Sequence, residues 1–412
     1  MSILFFYLLF FVLTADGLMV FLTSVIVYQL TGSIEYSGLS YALWWLPRIF
    51  IIPLIGRYID KIGVRALSIF SDVVKVMGCL FLICVDFSSN IMVAVSFGIV
   101  GSIISIGNSQ TIIAYEKIIA LISDAKEHHV NIMSRMDFLA MIAGPLVGMA
   151  LLDYGYKYVL ALPCLLYISN AFFFYVKKEA LRAEENDVHS HCTADKRVNS
   201  DALSLKRHVL FIFTTPIIVS AVLLAVGNNM FDGLVESSGA ALIHREMNLP
   251  IKYFGMIDVA AGVCGVIGTY LYGYIKRAFD RRVLLGLSVT LITVSSSVLI
   301  FNQSSFLFFV GCYAVSIIGK VFSGNIGRMI RIEVIPSHVL ASTSSLIMLL
   351  NQSILPLVGM LLYFSTGSTI LVYALMGVSI LITLASGCLL IIYSKRHYEH
   401  LRAKENSVSK PA

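Results

Sequence analysis

The sequence predicts an all-α membrane protein of twelve transmembrane helices, arranged as two six-helix pseudo-symmetric bundles. Three observations carry that prediction. The composition is too apolar for a water-soluble domain, apolar runs of membrane-crossing length recur along the whole chain, and one long polar segment divides them six and six. Of 412 residues, 58% are hydrophobic and 13% charged, against roughly 25% charged in soluble domains. A helix needs about 20 apolar residues to cross a bilayer. Stretches such as 91–106 and 371–393 are apolar on every side instead of alternating as barrel strands do.

Taken in order, the apolar runs predict spans over 3–30, 37–57, 65–86, 91–116, 134–153 and 157–177, then 209–231, 252–276, 283–301, 305–328, 339–365 and 369–393. The first run lacks a preceding cation and outlasts a signal-peptide core, so it reads as a retained helix. Between the sixth and seventh runs, the segment 178–208 carries Glu184, Glu185, Asp187, Lys196 and Arg197 among few apolar residues, a composition unable to bury a core. The expected organisation is an N-terminal bundle at 1–177, a cytoplasmic linker at 178–208, a C-terminal bundle at 209–393 and a cytoplasmic tail at 394–412.

Cations flanking membrane spans are retained on the cytoplasmic side. With both termini placed there, only Lys157, Arg245 and Lys252 fall outside, and Arg48, Lys75 and Lys320 fall within spans. That asymmetry explains the net charge of +6 without nucleic acid as a partner. Seven cysteines, an odd number lying mostly inside apolar runs, argue for packing residues over a disulfide framework. His189, His191 and Cys192 cluster in the linker, but a metal site needs fixed geometry and usually a fourth ligand. No metal or cofactor is expected.

An internal repeat supports the two-half reading. Pro145-Leu146-Val147-Gly148-Met149 recurs as Pro356-Leu357-Val358-Gly359-Met360, and the same offset aligns Ser134 with Ser345. The loop between spans two and three reads Gly56-Arg57-Tyr58-Ile59-Asp60-Lys61-Ile62-Gly63-Val64-Arg65. Here the chain resembles the major facilitator superfamily (MFS fold), whose signature at this loop is a glycine, an aspartate, a basic residue, a second glycine and further basics. The resemblance implies a gating role for Gly56, Asp60, Lys61, Gly63 and Arg65. A second copy, Gly273-Tyr274-Ile275-Lys276-Arg277 with Asp280-Arg281-Arg282, keeps the basic character without the matching carboxylate. Span five carries Gly144, Pro145 and Gly148, similar to a glycine-proline motif of exporters and antiporters in that superfamily. The same small residues also serve close helix packing. Leu30-Thr31-Gly32-Ser33, Gly38 and Pro47 resemble the subgroup of enterobactin-type siderophore exporters and drug efflux pumps. The arginine motif of many proton-coupled members is missing from span four, which holds Asn108 and Gln110.

Ionisable residues near the membrane midplane cost a few kcal/mol each and are usually paired or turned toward a wet cavity. Asp16, Arg48, Lys75 and Lys320 hold such positions. The fold implied by the resemblance lines its cavity with helices one, four, seven and ten, assigning Asp16 and Lys320 to the lining and Arg48 to its shoulder. Lys75 is expected to pair with Asp72 one turn away, and Asp16 with Arg48. Asn108, Asn229, Asn351 and Gln352 supply polar groups to orient a ligand or to bond neighbouring helices. Two cations offset only by Asp16 favour an anionic or polycarboxylate substrate, because Arg grips carboxylates bidentately.

The sequence thus predicts a monomeric secondary transporter of a bacterial cytoplasmic (inner) membrane, multi-pass, with lipid and a small molecule as partners and protons as the coupling ion. Its expected cargo is an exported carboxylate siderophore; the alternative is a drug efflux pump with a larger, aromatic, acid-lined cavity. No nucleophile–base pair, phosphate-binding glycine loop or clustered catalytic set appears, which argues against a lipid-modifying membrane enzyme. The linker and tail are too short for the folded domain that a sensor would carry.

Overall fold

The computed structural model describes residues 3–122, 126–176, 209–336, 340–364 and 367–408, with side chains undescribed at 3, 52–61, 120–122, 126–128, 130–131, 134, 340–342, 345 and 396–408. The linker and its His189–Cys192 cluster lie outside these residues. Twelve long helices occupy the described chain: α1 (Ile3–Thr31), α2 (Ile34–Ile62), α3 (Val64–Cys84), α4 (Asn90–Ile122), α5 (Lys126–Leu151), α6 (Tyr156–Val176), α7 (Pro216–Arg245), α8 (Phe254–Ile275), α9 (Arg281–Phe301), α10 (Phe306–Val334), α11 (Leu340–Tyr363) and α12 (Thr369–Val408). Eleven are long and apolar enough to cross a membrane; α2 is the one outside that count. The apolar runs become helices because a bilayer offers the backbone no hydrogen-bond partner except itself.

Five helices outrun their expected C-terminal ends by five residues or more. α2 continues past 57 to Ile62, α4 past 116 to Ile122, α7 past 231 to Arg245 and α10 past 328 to Val334, and α12 runs for 40 residues to Val408. Pro145, Pro163 and Pro356 sit inside α5, α6 and α11.

The chain forms two compact units. The first comprises Met1–Val198, Gly233–Val263 and Leu355–Val372; the second comprises Asn199–Asp232, Cys264–Ile354 and Tyr373–Ala412. Small residues let the helices of each unit approach closely. In the first, a Cβ on Gly144 of α5 would stand 2.5 Å from the Leu18 backbone nitrogen of α1, and one on Gly101 of α4 would stand 1.9 Å from the Trp44 ring of α2. In the second, Gly319 of α10 lies against α9, where Ser288 Oγ donates to its carbonyl at 2.7 Å.

The repeated pentapeptide is used in two ways. Gly148 takes the Phe21 ring of α1, with a Cβ–ring distance of 2.3 Å, whereas Gly359 meets the backbone of α2 at Gly38 and Ala42, each at 2.5 Å. Buried Phe5, Tyr115, Phe173 and Phe174 form much of an aromatic core in the first unit, with Phe5 and Phe173 edge to face at 5.0 Å. Ile218, Leu285, Ile326, Ile347 and Leu390 anchor the core of the second.

Candidate functional site

A cavity of about 390 Å³ opens inside the first unit, between α1, α2, α4, α5 and the far end of α7. Asp16 of α1 reaches its wall while only 2% exposed. A buried carboxylate requires a counter-charge and hydrogen-bond donors, and Asp16 has both. Lys75 Nζ lies 3.0 Å from Asp16 Oδ1, Tyr167 hydroxyl donates to Oδ1 at 2.7 Å, and Asn108 Nδ2 donates to Oδ2 at 3.0 Å. Lys75 itself is fully buried and stands 4.7 Å from the centre of the Tyr167 ring. Gly107 of α4 provides its passage, since a Cβ there would fall 2.2 Å from Lys75 Cε.

Two expected pairings are therefore corrected. Lys75 meets Asp16 instead of Asp72, whose Oδ2 accepts from Asn170 Nδ2 at 2.6 Å. An aspartate three positions away on the same helix points to the α6 side, while Lys75 is long enough to cross to α1. Asp16 in turn does not pair with Arg48. The Arg48 guanidinium donates to Ser105 Oγ at 3.1 Å and stacks 4.8 Å from the centre of the Trp45 ring, while its Nε is buried without a partner. Among the described residues, no carboxylate stands within ion-pair distance of Arg48.

The same cavity holds Asp137 of α5 and Glu236 of α7, both missed in the sequence. Glu236 accepts from the Tyr41 hydroxyl at 2.7 Å. With Lys75 neutralising Asp16, Arg48 faces two carboxylates, so this cavity is mildly acidic. The expected positive site offset only by Asp16 does not form here. Trp44 and Trp45 supply aromatic wall.

A smaller cavity of about 210 Å³ lies within the second unit, lined by Asn228, Asn229, Asp232, Lys320, Arg331 and Asn351 among others. Lys320 is ion-paired with Asp232 of α7, which also accepts from the Tyr313 hydroxyl at 3.0 Å. Asn229 Nδ2 donates to the Asn351 carbonyl at 2.8 Å, tying α7 to α11, and Asn351 Oδ1 is buried and unpartnered. Gln352 follows on α11, partly buried and outside the lining.

Where α1 gives way to α2, Arg245 at the end of α7 closes a clamp. Its Nε donates to the Tyr28 hydroxyl at 3.0 Å, and its terminal nitrogens donate to the carbonyls of Gly32 at 2.7 Å and Gly367 at 3.0 Å. Gly32 and Gly367 have φ of +63° and +69°, a region glycine enters without strain. Lys252 pairs with Asp153 elsewhere in the first unit. Of the loop motif, Gly56, Asp60 and Lys61 lie within α2 instead of a loop, with the side chains of Asp60 and Lys61 outside the described set. Gly63 (φ +91°) joins α2 to α3, and Arg65 donates to the Phe174 and Tyr175 carbonyls at the end of α6, at 2.9 and 3.1 Å.

A family model described as Major Facilitator Superfamily matches residues 4–354. No curated protein matches the chain. Among solved structures, a bacterial homologue of the iron transporter ferroportin, in an inward-facing state, is similar at 19% identity and a TM-score of 0.69, covering 96% of this chain and 100% of its own. The peptide transporter POT follows at 14% identity and 0.70, over 95% and 94%. The nucleoside transporter NupG is similar at 11% identity and 0.72, over 93% and 98%. At these identities the likeness establishes the fold.

Proposed function

This chain belongs to the Major Facilitator Superfamily, and from that premise we propose that it exports a small organic molecule bearing carboxylates across a bacterial cytoplasmic membrane, most specifically a carboxylate siderophore. The observation that carries the proposal is Arg48. Its guanidinium lines a cavity of ligand size, about 390 Å³, with a hydroxyl and an indole face as neighbours and, among the described residues, no carboxylate within ion-pair distance. A half-buried cation left in that condition is poised for a carboxylate, which it can grip with two parallel hydrogen bonds. Arg328 and Arg331 add positive charge at the second cavity. One similar structure is a bacterial homologue of the iron transporter ferroportin, which accords with a role in iron acquisition. Among the described residues, however, no group of three or more His, Cys, Asp or Glu could hold a bare metal ion.

The proposed mechanism is alternating access between the two sequence halves, 1–177 and 209–393, joined by the 178–208 linker. With both termini cytoplasmic, the Arg245 clamp is the external latch and the Gly56–Arg65 loop is the cytoplasmic one. Protons are the proposed coupling ion and Asp16 their carrier, because protonating Asp16 would release Lys75. Transport by Asp16→Asn with wild-type rate and pH dependence would exclude Asp16 from that role.

A second reading, efflux of lipophilic cations, is favoured by Trp44 and Trp45 beside Asp137 and Glu236. One experiment separates the two. In an iron-starved deletion strain, iron-scavenging activity should fall in the medium and accumulate in the cells, restored by the wild-type gene and not by Arg48→Ala. Unchanged secretion, together with new sensitivity to cationic dyes, would replace siderophore export with drug efflux.

A further inference from the structure

Two charges in the first unit's cavity have no partner. Arg48 is one, as described above. The other is Asp137, which lines the same cavity from α5 and has no hydrogen bond or ion pair among the described residues. Every other ionised group on this wall is engaged: Asp16 holds Lys75, Tyr167 and Asn108, and Glu236 holds the Tyr41 hydroxyl. Nor do the two free charges satisfy each other, although they share one cavity of about 390 Å³ and opposite charges in such surroundings attract strongly.

Resting on the transport reading above, we propose that this cavity takes a zwitterionic ligand, one molecule presenting a carboxylate to Arg48 and an ammonium to Asp137. A purely anionic cargo would satisfy Arg48 but bring its charge toward Asp137 and Glu236. A purely cationic cargo would do the reverse at Arg48. Only a ligand carrying both signs neutralises the pair, and the Trp44 and Trp45 rings give its apolar connector a surface. The free Oδ1 of Asn108, whose Nδ2 is committed to Asp16, is a further acceptor for the ligand's ammonium or amide hydrogens. The substrate class is therefore narrower than polycarboxylate: a carboxylic acid joined to an amine, as in a hydroxy-acid conjugate of a diamine or an amino acid.

The protein has two tryptophans, Trp44 and Trp45, and both line this cavity, so selectively excited tryptophan fluorescence of the full chain in detergent reports on its wall. Three probes suffice: citrate, 1,4-diaminobutane, and the citrate monoamide of 1,4-diaminobutane, which keeps two carboxylates and one ammonium. The conjugate should quench with an affinity at least about ten-fold higher than either part. Arg48→Gln and Asp137→Asn should each abolish that advantage, and Asp137→Asn should leave citrate binding no weaker. Each variant is first compared with wild type in thermal unfolding; one that melts early is replaced by Arg48→Met or Asp137→Ser.

Citrate binding as tightly as the conjugate, unaffected by Asp137→Asn, would overturn the inference and leave anion export standing. Diamine binding as tightly as the conjugate, unaffected by Arg48→Gln, would overturn both. Absence of quenching by all three probes in folded protein would overturn the zwitterionic site, with the secretion assay still deciding the transport reading on its own.

Discussion

Replacing Lys75 with methionine tests the most consequential contact in the first unit. Methionine is unbranched and apolar and, one heavy atom shorter than lysine, fills most of the passage across Gly107, so the substitution deletes the charge with little loss of volume. Asp16 is then left 2% exposed with no counter-ion. Removing one partner of a buried pair costs about 3–5 kcal/mol. Asp16 keeps the Tyr167 hydroxyl and the Asn108 amide as donors, which places the expected loss near the lower end, about 3 kcal/mol. For a chain of this size that loss lowers the melting temperature by on the order of 5 °C. Asp16→Asn alone strands the Lys75 ammonium and should cost a similar amount. The double variant Asp16→Asn/Lys75→Met removes both charges and should recover most of the loss, giving a coupling of about 2 kcal/mol or more. The assay is thermal unfolding of the detergent-solubilised protein followed by circular dichroism, as a double-mutant cycle. A coupling below about 0.5 kcal/mol, or a larger one between Lys75 and Asp72 than between Lys75 and Asp16, would refute the pairing.

Other consequences can be checked alongside. Gly144→Val would drive a side chain into the α1 backbone, 2.5 Å from Leu18 N, so folded yield in membranes should collapse; Gly286→Ala, with nothing within 4 Å of its Cβ, should express normally. Arg245→Ala removes two hydrogen bonds at the junction of α1 and α2 and a third to Gly367, and amide exchange at residues 28–34 should accelerate at least about ten-fold, the equivalent of 1.4 kcal/mol. Equal exchange rates would show that the clamp does not hold that end closed. Lys320→Met leaves Asp232 without its cation and should melt early, with Asp232→Asn restoring most of the loss.

The fold was legible because membrane helices announce themselves by length and apolarity, and all twelve appear where the apolar runs lie. The site was legible only in part, for two physical reasons. The first concerns helix ends. Asp232-Gly233 followed by Glu236 has the composition of a loop, yet α7 carries straight through to Arg245, because these carboxylates are satisfied by Lys320, Tyr313 and Tyr41 and need no water. Ending that run at 231 removed from view the partner of Lys320 and one acidic wall of the first cavity. The second concerns reach. Charge pairing within a helix is readable at i, i+3 spacing, so Asp72 looked like the partner of Lys75. The real partner lies on α1, 59 positions away, through a notch at Gly107 that no local pattern marks. Asp16, Arg48, Lys75 and Lys320 were singled out by a different rule, the cost of an ionisable side chain at mid-membrane depth.

The charge of the cavity follows from that hidden notch. If Lys75 were held by Asp72 on its own side, Asp16 would be free to neutralise Arg48, and the first unit would present a closed ion pair to any ligand. Because Gly107 admits the Lys75 side chain, Asp16 is occupied from behind, by a helix whose backbone does not border the cavity. Arg48 is then left facing solvent-accessible space with a serine, an indole and an unfilled Nε. Asp137 across the same space is left equally unmet. Leaving two opposite charges unsatisfied within one cavity lowers stability in the empty protein, and a ligand that bridges them recovers that free energy as affinity. On the proposed reading, Gly107 is a determinant of binding that touches no substrate. Enlarging it to alanine would push Lys75 out of its passage, return Asp16 to Arg48 and weaken binding of every carboxylate-bearing probe together, while the Trp44 and Trp45 walls stay in place.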